Sequence, residues 1–103
     1  MLGAIAGDII GSVFEGIGLK VKEFPLLSPK NIYTDDTVLT VAVAAAILGR
    51  GDYATCLRDF ARRHPGRGYG GYFHDWVTRW ARTIAGAMAP RCESLLLGGR
   101  LIL

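Results

Sequence analysis

Residues 37–48 read Thr-Val-Leu-Thr-Val-Ala-Val-Ala-Ala-Ala-Ile-Leu, a run without a charged side chain that follows directly on Asp35-Asp36 and ends at Gly49. Few architectures accept such a segment. A dozen residues fall short of the ~17–25 that an α-helix needs to cross a bilayer, and an acidic pair at the head is poorly suited to lipid. A helix apolar almost all the way round predicts burial on most sides, in the middle of a helical domain. Gly49 or Gly51 supplies the stop.

The rest of the chain supplies the neighbours. Leu2, Ile5, Ala6, Ile9, Ile10, Val13 and Ile17 recur at steps of three and four, which predicts a helix over residues 2–17. Gly3, Gly7 and Gly11 form a second row on it. Each costs about 1 kcal/mol against alanine, so the row predicts a backbone packed close to a neighbour. Asp8, Ser12 and Glu15 fall on a third, polar strip. Residues 18–33, with Lys20, Lys22, Pro25, Pro29 and Lys30, read as a loop or extended connection. Asp52 is a good N-cap for a third helix with Tyr53, Cys56, Leu57, Phe60, Ala61 and His64 on one face. Pro65-Gly66 ends it. Tyr72, Phe73, Trp76, Val77 and Trp80 open a fourth, with both tryptophans expected in the core. Before residue 81 nothing reads as a strand, and the fold class is all-α: about four helices with an irregular tail.

Composition narrows the function classes. The net charge of +3 comes mostly from the end of the chain, where Arg82, Arg91 and Arg100 face only Glu93. There is no basic stripe with interleaved aromatics, so nucleic acid is not the expected partner. The first apolar stretch lacks a basic leader and carries Asp8, which argues against a signal peptide. No membrane partner is expected. Two cysteines, Cys56 and Cys92, make no disulfide framework and suit a reducing cytoplasm, with Cys56 as small core filler. His64 and His74 lack metal-ligand spacing; His74 is expected to be exposed.

Three groups of residues could carry chemistry. Thr34-Asp35-Asp36-Thr37 gathers carboxylates and hydroxyls where a helix begins, the oxygen donors a hard cation such as Mg²⁺ takes. Ordinary capping explains the same residues and, taken alone, is the commoner case. Glu15 could act as an acid/base or satisfy a neighbouring backbone group, and Asp8 reads as structural. Gly68-Tyr69-Gly70-Gly71 could aim N–H groups at a phosphate with the tyrosine stacked on a ring or sugar, or could be a tight inter-helix turn.

Their order is more specific than any one of them. Met1-Leu2-Gly3-Ala4-Ile5-Ala6-Gly7-Asp8-Ile9-Ile10-Gly11-Ser12 followed by Glu15 resembles the amino terminus of the ADP-ribosylglycohydrolase family, which includes the dinitrogenase-reductase-activating glycohydrolases and crystallin J1. Thr34-Asp35-Asp36-Thr37 with its alanine-rich helix resembles that family's first metal motif, and Pro65-Gly66-Arg67-Gly68-Tyr69-Gly70-Gly71 its ligand loop. The resemblance implies an all-α hydrolase with a pair of Mg²⁺ (sometimes Mn²⁺) ions that cleaves the bond between ADP-ribose and a protein side chain or related acceptor. It implies Thr34, Asp35 and Asp36 as metal ligands and Glu15 as the acid/base or gating carboxylate. Gly68, Tyr69, Gly70 and Gly71 would cradle the diphosphate and distal ribose. The partner would be an ADP-ribosylated protein or an ADP-ribose-containing small molecule.

Residues 1–81 carry the resemblance; residues 82–103 do not. Family members run to well over twice this length, and their second metal motif, Asp-x-Asp followed by Thr or Ser, has no counterpart here, since no acidic residue follows Glu93. Residues 82–94 admit codons that, read from the last base of the Ala81 codon, spell Pro-Tyr-Asn-Ser-Trp-Gly-Asn-Gly-Ser-Ala-Met-Arg-Val. The family typically continues at that point with a segment like Tyr-Asn-Ser-x-Gly-Asn-Gly-Ser-Ala-Met-Arg. The expectation is a frameshift near codon 81, an out-of-frame tail, a marginally stable chain and no activity. The competing reading is a small non-enzymatic helical module that binds ADP-ribose or a protein.

Overall fold

The computed structural model describes residues 1–49, 51–83, 92, 96, 97, 100 and 101. Its centre is the pairing of the apolar run with the helix that follows it. Helix α2 spans Asp35–Gly49 and α3 spans Tyr53–Arg63. Small side chains let the two backbones approach: Val38, Ala42, Ala45 and Ala46 of α2 are buried with Cys56 and Phe60 of α3 in one cluster. Burying the Phe60 ring contributes about 1.5–3 kcal/mol, and the ring is 5% exposed. Gly51 closes the turn, its N–H donating to Ala46 O at 2.9 Å. Asp52 then caps α3 as the sequence predicts, accepting from Thr55 N and Oγ1, both at 2.8 Å.

Away from α3, the carboxyl-terminal end of α2 has no cover among the described residues. Ile47 is 59% and Leu48 69% exposed, so the expected burial on most sides is met on the α3 side alone. The expected packing of α1 also needs correction. Helix α1 spans Leu2–Gly11 and continues as a 3-10 turn over Ser12–Phe14, shorter than the periodicity predicts. Gly16 and Gly18 take φ of +79° and +66°, a left-handed backbone that ends the helix at low steric cost. None of the residues of α1 is buried. A Cβ placed at Gly3, Gly7 or Gly11 would meet nothing among the described residues within 4 Å. The glycine row faces space.

Polar contacts dock the connection on α1. Asn31 Nδ2 donates to Ile9 O at 2.7 Å, a carbonyl near the helix end that also accepts from Ser12 Oγ at 2.8 Å. Ser12 Oγ accepts from Ile32 N at 3.1 Å.

Helix α4 spans Gly71–Thr83 and lies against α3. Trp76 and Trp80 are half-buried rather than fully in the core. The Arg58 guanidinium covers them, its carbon 4.0 Å from the Trp76 ring and 5.3 Å from Trp80. The charged head therefore stacks on ring faces instead of leaving the helix pair.

The two cysteines are a further correction. Cys56 and Cys92 form a disulfide with Cα atoms 4.8 Å apart, and neither is a free thiol. Cys92 N also donates to the buried Asp59 carboxylate at 2.9 Å, and Arg63 pairs with the same oxygen at 2.8 Å. Near the end of the chain Leu96–Leu97 and Arg100–Leu101 form a two-residue antiparallel ladder. The rest of the tail lies outside the described residues, and α4 runs two residues past Ala81 without a break. No helix among the described residues is long and apolar enough to cross a membrane.

Candidate functional site

Asp8 organises the site. Its carboxylate accepts from Thr34 N at 2.8 Å and Thr34 Oγ1 at 2.5 Å, and from Thr37 N at 3.3 Å and Thr37 Oγ1 at 2.5 Å. One residue of α1 thus takes up donors from the first turn of α2, where helix N–H groups lack internal partners. Partial burial pushes the Asp8 carboxyl up, but the hydrogen bonds outweigh it and hold the group below its ordinary value. The sequence reading of Asp8 as structural holds, and the structure adds what it holds together. Its partners Thr34 and Thr37 stand three apart, so they share one side of the helix start.

Thr34 is the buried cap of α2. Its carbonyl accepts from Val38 N at 3.3 Å and its Oγ1 from Asp36 N at 3.3 Å. Capping is therefore one part this motif plays.

The docking of α1 opens a cleft of about 630 Å³, lined by Gly7, Asp8, Gly11, Glu15, Asp36 and Thr40 among others. Glu15 sits where the 3-10 turn gives way to extended backbone, with φ −60° and ψ 128°. That break, rather than a continued helix, delivers its exposed carboxylate to the same cleft as Asp36. Two of the bare glycines, Gly7 and Gly11, form part of the wall. Close packing, the physical reason expected for those glycines, is replaced by room for something else.

Asp35 belongs to a different neighbourhood. Its N–H donates to Arg67 O at 2.9 Å. A Cβ placed on Gly68, where φ is +95°, would lie 3.6 Å from Asp35 Oδ1. So the glycine-rich loop does meet the acidic motif, at Gly68. Tyr69 does not point into the cleft. Its hydroxyl donates to His64 O at 2.7 Å, and its ring stacks on Phe73 with centroids 5.5 Å apart. Burial, with the Asp35 charge adding to it, raises the phenol to about 12. Gly70 O accepts from His74 N at 2.9 Å, and Gly71 is the first residue of α4.

His64 ends α3, half-buried, as its place on the apolar face predicts. Its Nδ1 lies 3.1 Å from Tyr33 Oη. Burial first, then the charges of Arg63 and Arg67, lower its pKa. His74 is exposed, as expected.

Thr34, Asp35 and Asp36 offer a hydroxyl and two carboxylates, a donor set of the right chemistry for a hard cation that keeps some of its water. Among the described residues no group of three or more His, Cys, Asp and Glu side chains forms a metal cage. The donors fit Mg²⁺ in kind, but Thr34 Oγ1 is already engaged by Asp8 and Asp36 N, and Asp35 and Asp36 lie in different neighbourhoods.

The architecture at this point is an all-α assembly with an acidic cleft between its first two helices. Comparison with known proteins adds one relative: ADP-ribosylhydrolase ARH3 of Xenopus tropicalis is 34% identical over an 88-position alignment that takes in 68% of this chain and 25% of the relative. The similarity supports the ADP-ribosylglycohydrolase resemblance carried by the motifs. The chain spans about a quarter of the length of the curated relative it matches. No family model and no solved structure matches it.

Proposed function

We propose that residues 1–81 are the amino-terminal part of a metal-dependent ADP-ribosylglycohydrolase, and that the 103-residue chain alone does not turn over substrate. The observation that carries this reading is the cleft into which one docking residue, Asp8, brings both Glu15 and Asp36. Similarity to an ADP-ribosylhydrolase supports it independently.

In this reading Thr34, Asp35 and Asp36 would hold Mg²⁺ or Mn²⁺ in a full-length enzyme, together with a second acidic motif absent from these 103 residues, and the metal would orient ribose hydroxyls and stabilise developing charge there. Glu15 faces the scissile bond between ADP-ribose and its acceptor. Its carboxylate handles the proton there, as a positioned acid/base does. Gly68 allows close approach to the acidic motif. Tyr69 fixes the loop through His64, and Gly70 and Gly71 lead into the amino terminus of α4, whose N–H groups suit a diphosphate. The substrate is an ADP-ribosylated protein or an ADP-ribose-containing small molecule.

The same reading makes residues 82–103 an out-of-frame tail and the chain marginally stable, against which stand the Cys56–Cys92 disulfide and the Cys92–Asp59 hydrogen bond. The exposed Leu2, Ile47 and Leu48 support marginal stability, because they leave apolar surface on α1 and α2 without a neighbour among the described residues. Thermal unfolding with and without Mg²⁺, alongside release of ADP-ribose from a modified protein, tests the proposal. No release and no Mg²⁺-dependent rise in Tm are expected. A cooperative transition that Mg²⁺ raises, or turnover, would contradict it. Tight ADP-ribose binding without turnover would favour the non-enzymatic module.

A further inference from the structure

A closed set of contacts ties the loop at residues 64–69 to the segment just before the acidic motif. The Arg67 guanidinium carbon lies 3.7 Å from the centre of the Tyr33 ring, and Arg67 Nη1 donates to Tyr33 O at 3.2 Å. The Tyr33 hydroxyl meets His64 Nδ1, and His64 O takes the Tyr69 hydroxyl. The main chain of the same arginine receives the Asp35 N–H, and a Cβ placed on the next residue, Gly68, would lie 3.6 Å from Asp35 Oδ1.

From this geometry we propose that Arg67 is a positioning residue: by stacking on Tyr33 it straps the loop onto Asp35 and sets where that carboxylate can point. The inference rests on the hydrolase reading, in which Asp35 is a ligand, and names a residue that acts through it. A guanidinium stacked on a ring and bonded to the carbonyl of the same residue fixes both distance and direction. Lysine has neither the plane nor the fork to replace it. Gly68, at φ +95°, takes the left-handed backbone that the turn after Arg67 needs at low steric cost.

Amide hydrogen exchange at Asp35, read by NMR against Ala45 in the α2–α3 core, tests the strap without any metal. Arg67→Ala should speed exchange at Asp35 about tenfold while Ala45 keeps its protection, as expected for local opening on losing a partly desolvated cation–π contact. Arg67→Lys should behave like Arg67→Ala. Tyr33→Phe, which keeps the ring, should preserve Asp35 protection. Unchanged Asp35 exchange in Arg67→Ala would overturn the proposal, and so would a parallel rise at Ala45, which marks general destabilisation.

Should a variant fold poorly, tryptic cutting gives a second reading. Wild type and Tyr33→Phe should be cut after Arg67 more slowly than after Lys22, and Tyr33→Leu should bring the two rates together. Equal rates in wild type would overturn the strap. The hydrolase reading stands or falls separately, on the coding sequence downstream of codon 81.

Discussion

Helix α2 has two sides that are held in different ways. Towards α3 the contact is apolar and close: four buried residues of α2 meet Cys56 and Phe60, and a disulfide lies in the same cluster. Towards α1 the contact is polar and narrow: one carboxylate meets two threonines, and the helix that carries it has no buried residue. The first side forms a core. The second holds a cleft open and sets its walls. Apolar burial is non-directional, so it packs α3 without fixing any one donor. Charge-assisted hydrogen bonds are short and directional, so they suit a junction that must leave space beside it.

Breaking the apolar side should have the largest effect. Phe60→Ala empties a buried site, and such truncations cost about 3–5 kcal/mol. In a chain this small the cooperative thermal transition should vanish. Reducing the Cys56–Cys92 bond, which closes 36 residues of chain, should remove about 2–4 kcal/mol. Chemical denaturation with and without reductant reads this directly, and superimposable curves would count against the disulfide as a stabiliser.

Breaking the polar side should act locally. Asp8→Ala leaves donors of Thr34 and Thr37 without their acceptor, a loss of about 1.5–3 kcal/mol for bonds to a charged group. Exchange should speed up across residues 2–11 while Ala42 and Ala45 stay protected. Uniform loss would mean that α1 and the α2–α3 pair unfold together.

A smaller effect is expected with pH. The folded pKa of His64 is lowered, so below the ordinary value near 6.5 the unfolded chain binds the proton more readily than the folded one. The contribution of His64 is therefore complete above about pH 6.5 and falls as pH drops from there toward the folded pKa. Tm measured from pH 8 to 5 should decline in wild type and decline less in His64→Gln. Asp8 adds a second loss at lower pH, because its folded pKa is also lowered: its contribution is present above about pH 3.9 and disappears as the group protonates. Least of all, Ile47→Thr on the open side of α2 should change stability by under about 0.5 kcal/mol and improve solubility. A large loss would mean that this side is covered.

Much of this contrast is legible in the sequence. The apolar run, the Asp52 cap and the periodicity of α3 and α4 specify their helices because local pattern and final burial agree. The Thr34–Thr37 motif falls at a helix start for the same reason. What the pattern conceals is which partner is present. Gly3, Gly7 and Gly11 read as a close-packed row, since glycine in a helix has to be compensated by something, yet Gly7 and Gly11 line a cleft and Gly3 meets nothing among the described residues. Periodicity also carries α1 through Glu15, whereas the helix ends before it, with left-handed glycines just beyond, and Glu15 lines the same cleft as Asp36. The Cys56–Cys92 pair and the Arg67–Tyr33 stack join residues more than thirty positions apart, and no local spacing encodes them.

The account turns on what the gene encodes beyond codon 81. Resequencing the DNA across codons 78–84 and several hundred bases past codon 103 tests it most directly. The account predicts an overlapping frame that reads Tyr-Asn-Ser-x-Gly-Asn-Gly-Ser-Ala-Met-Arg and later supplies Asp-x-Asp-Thr, the missing half of the acidic site. A coding sequence with no such frame would contradict it and leave a small helical module with an acidic cleft of its own.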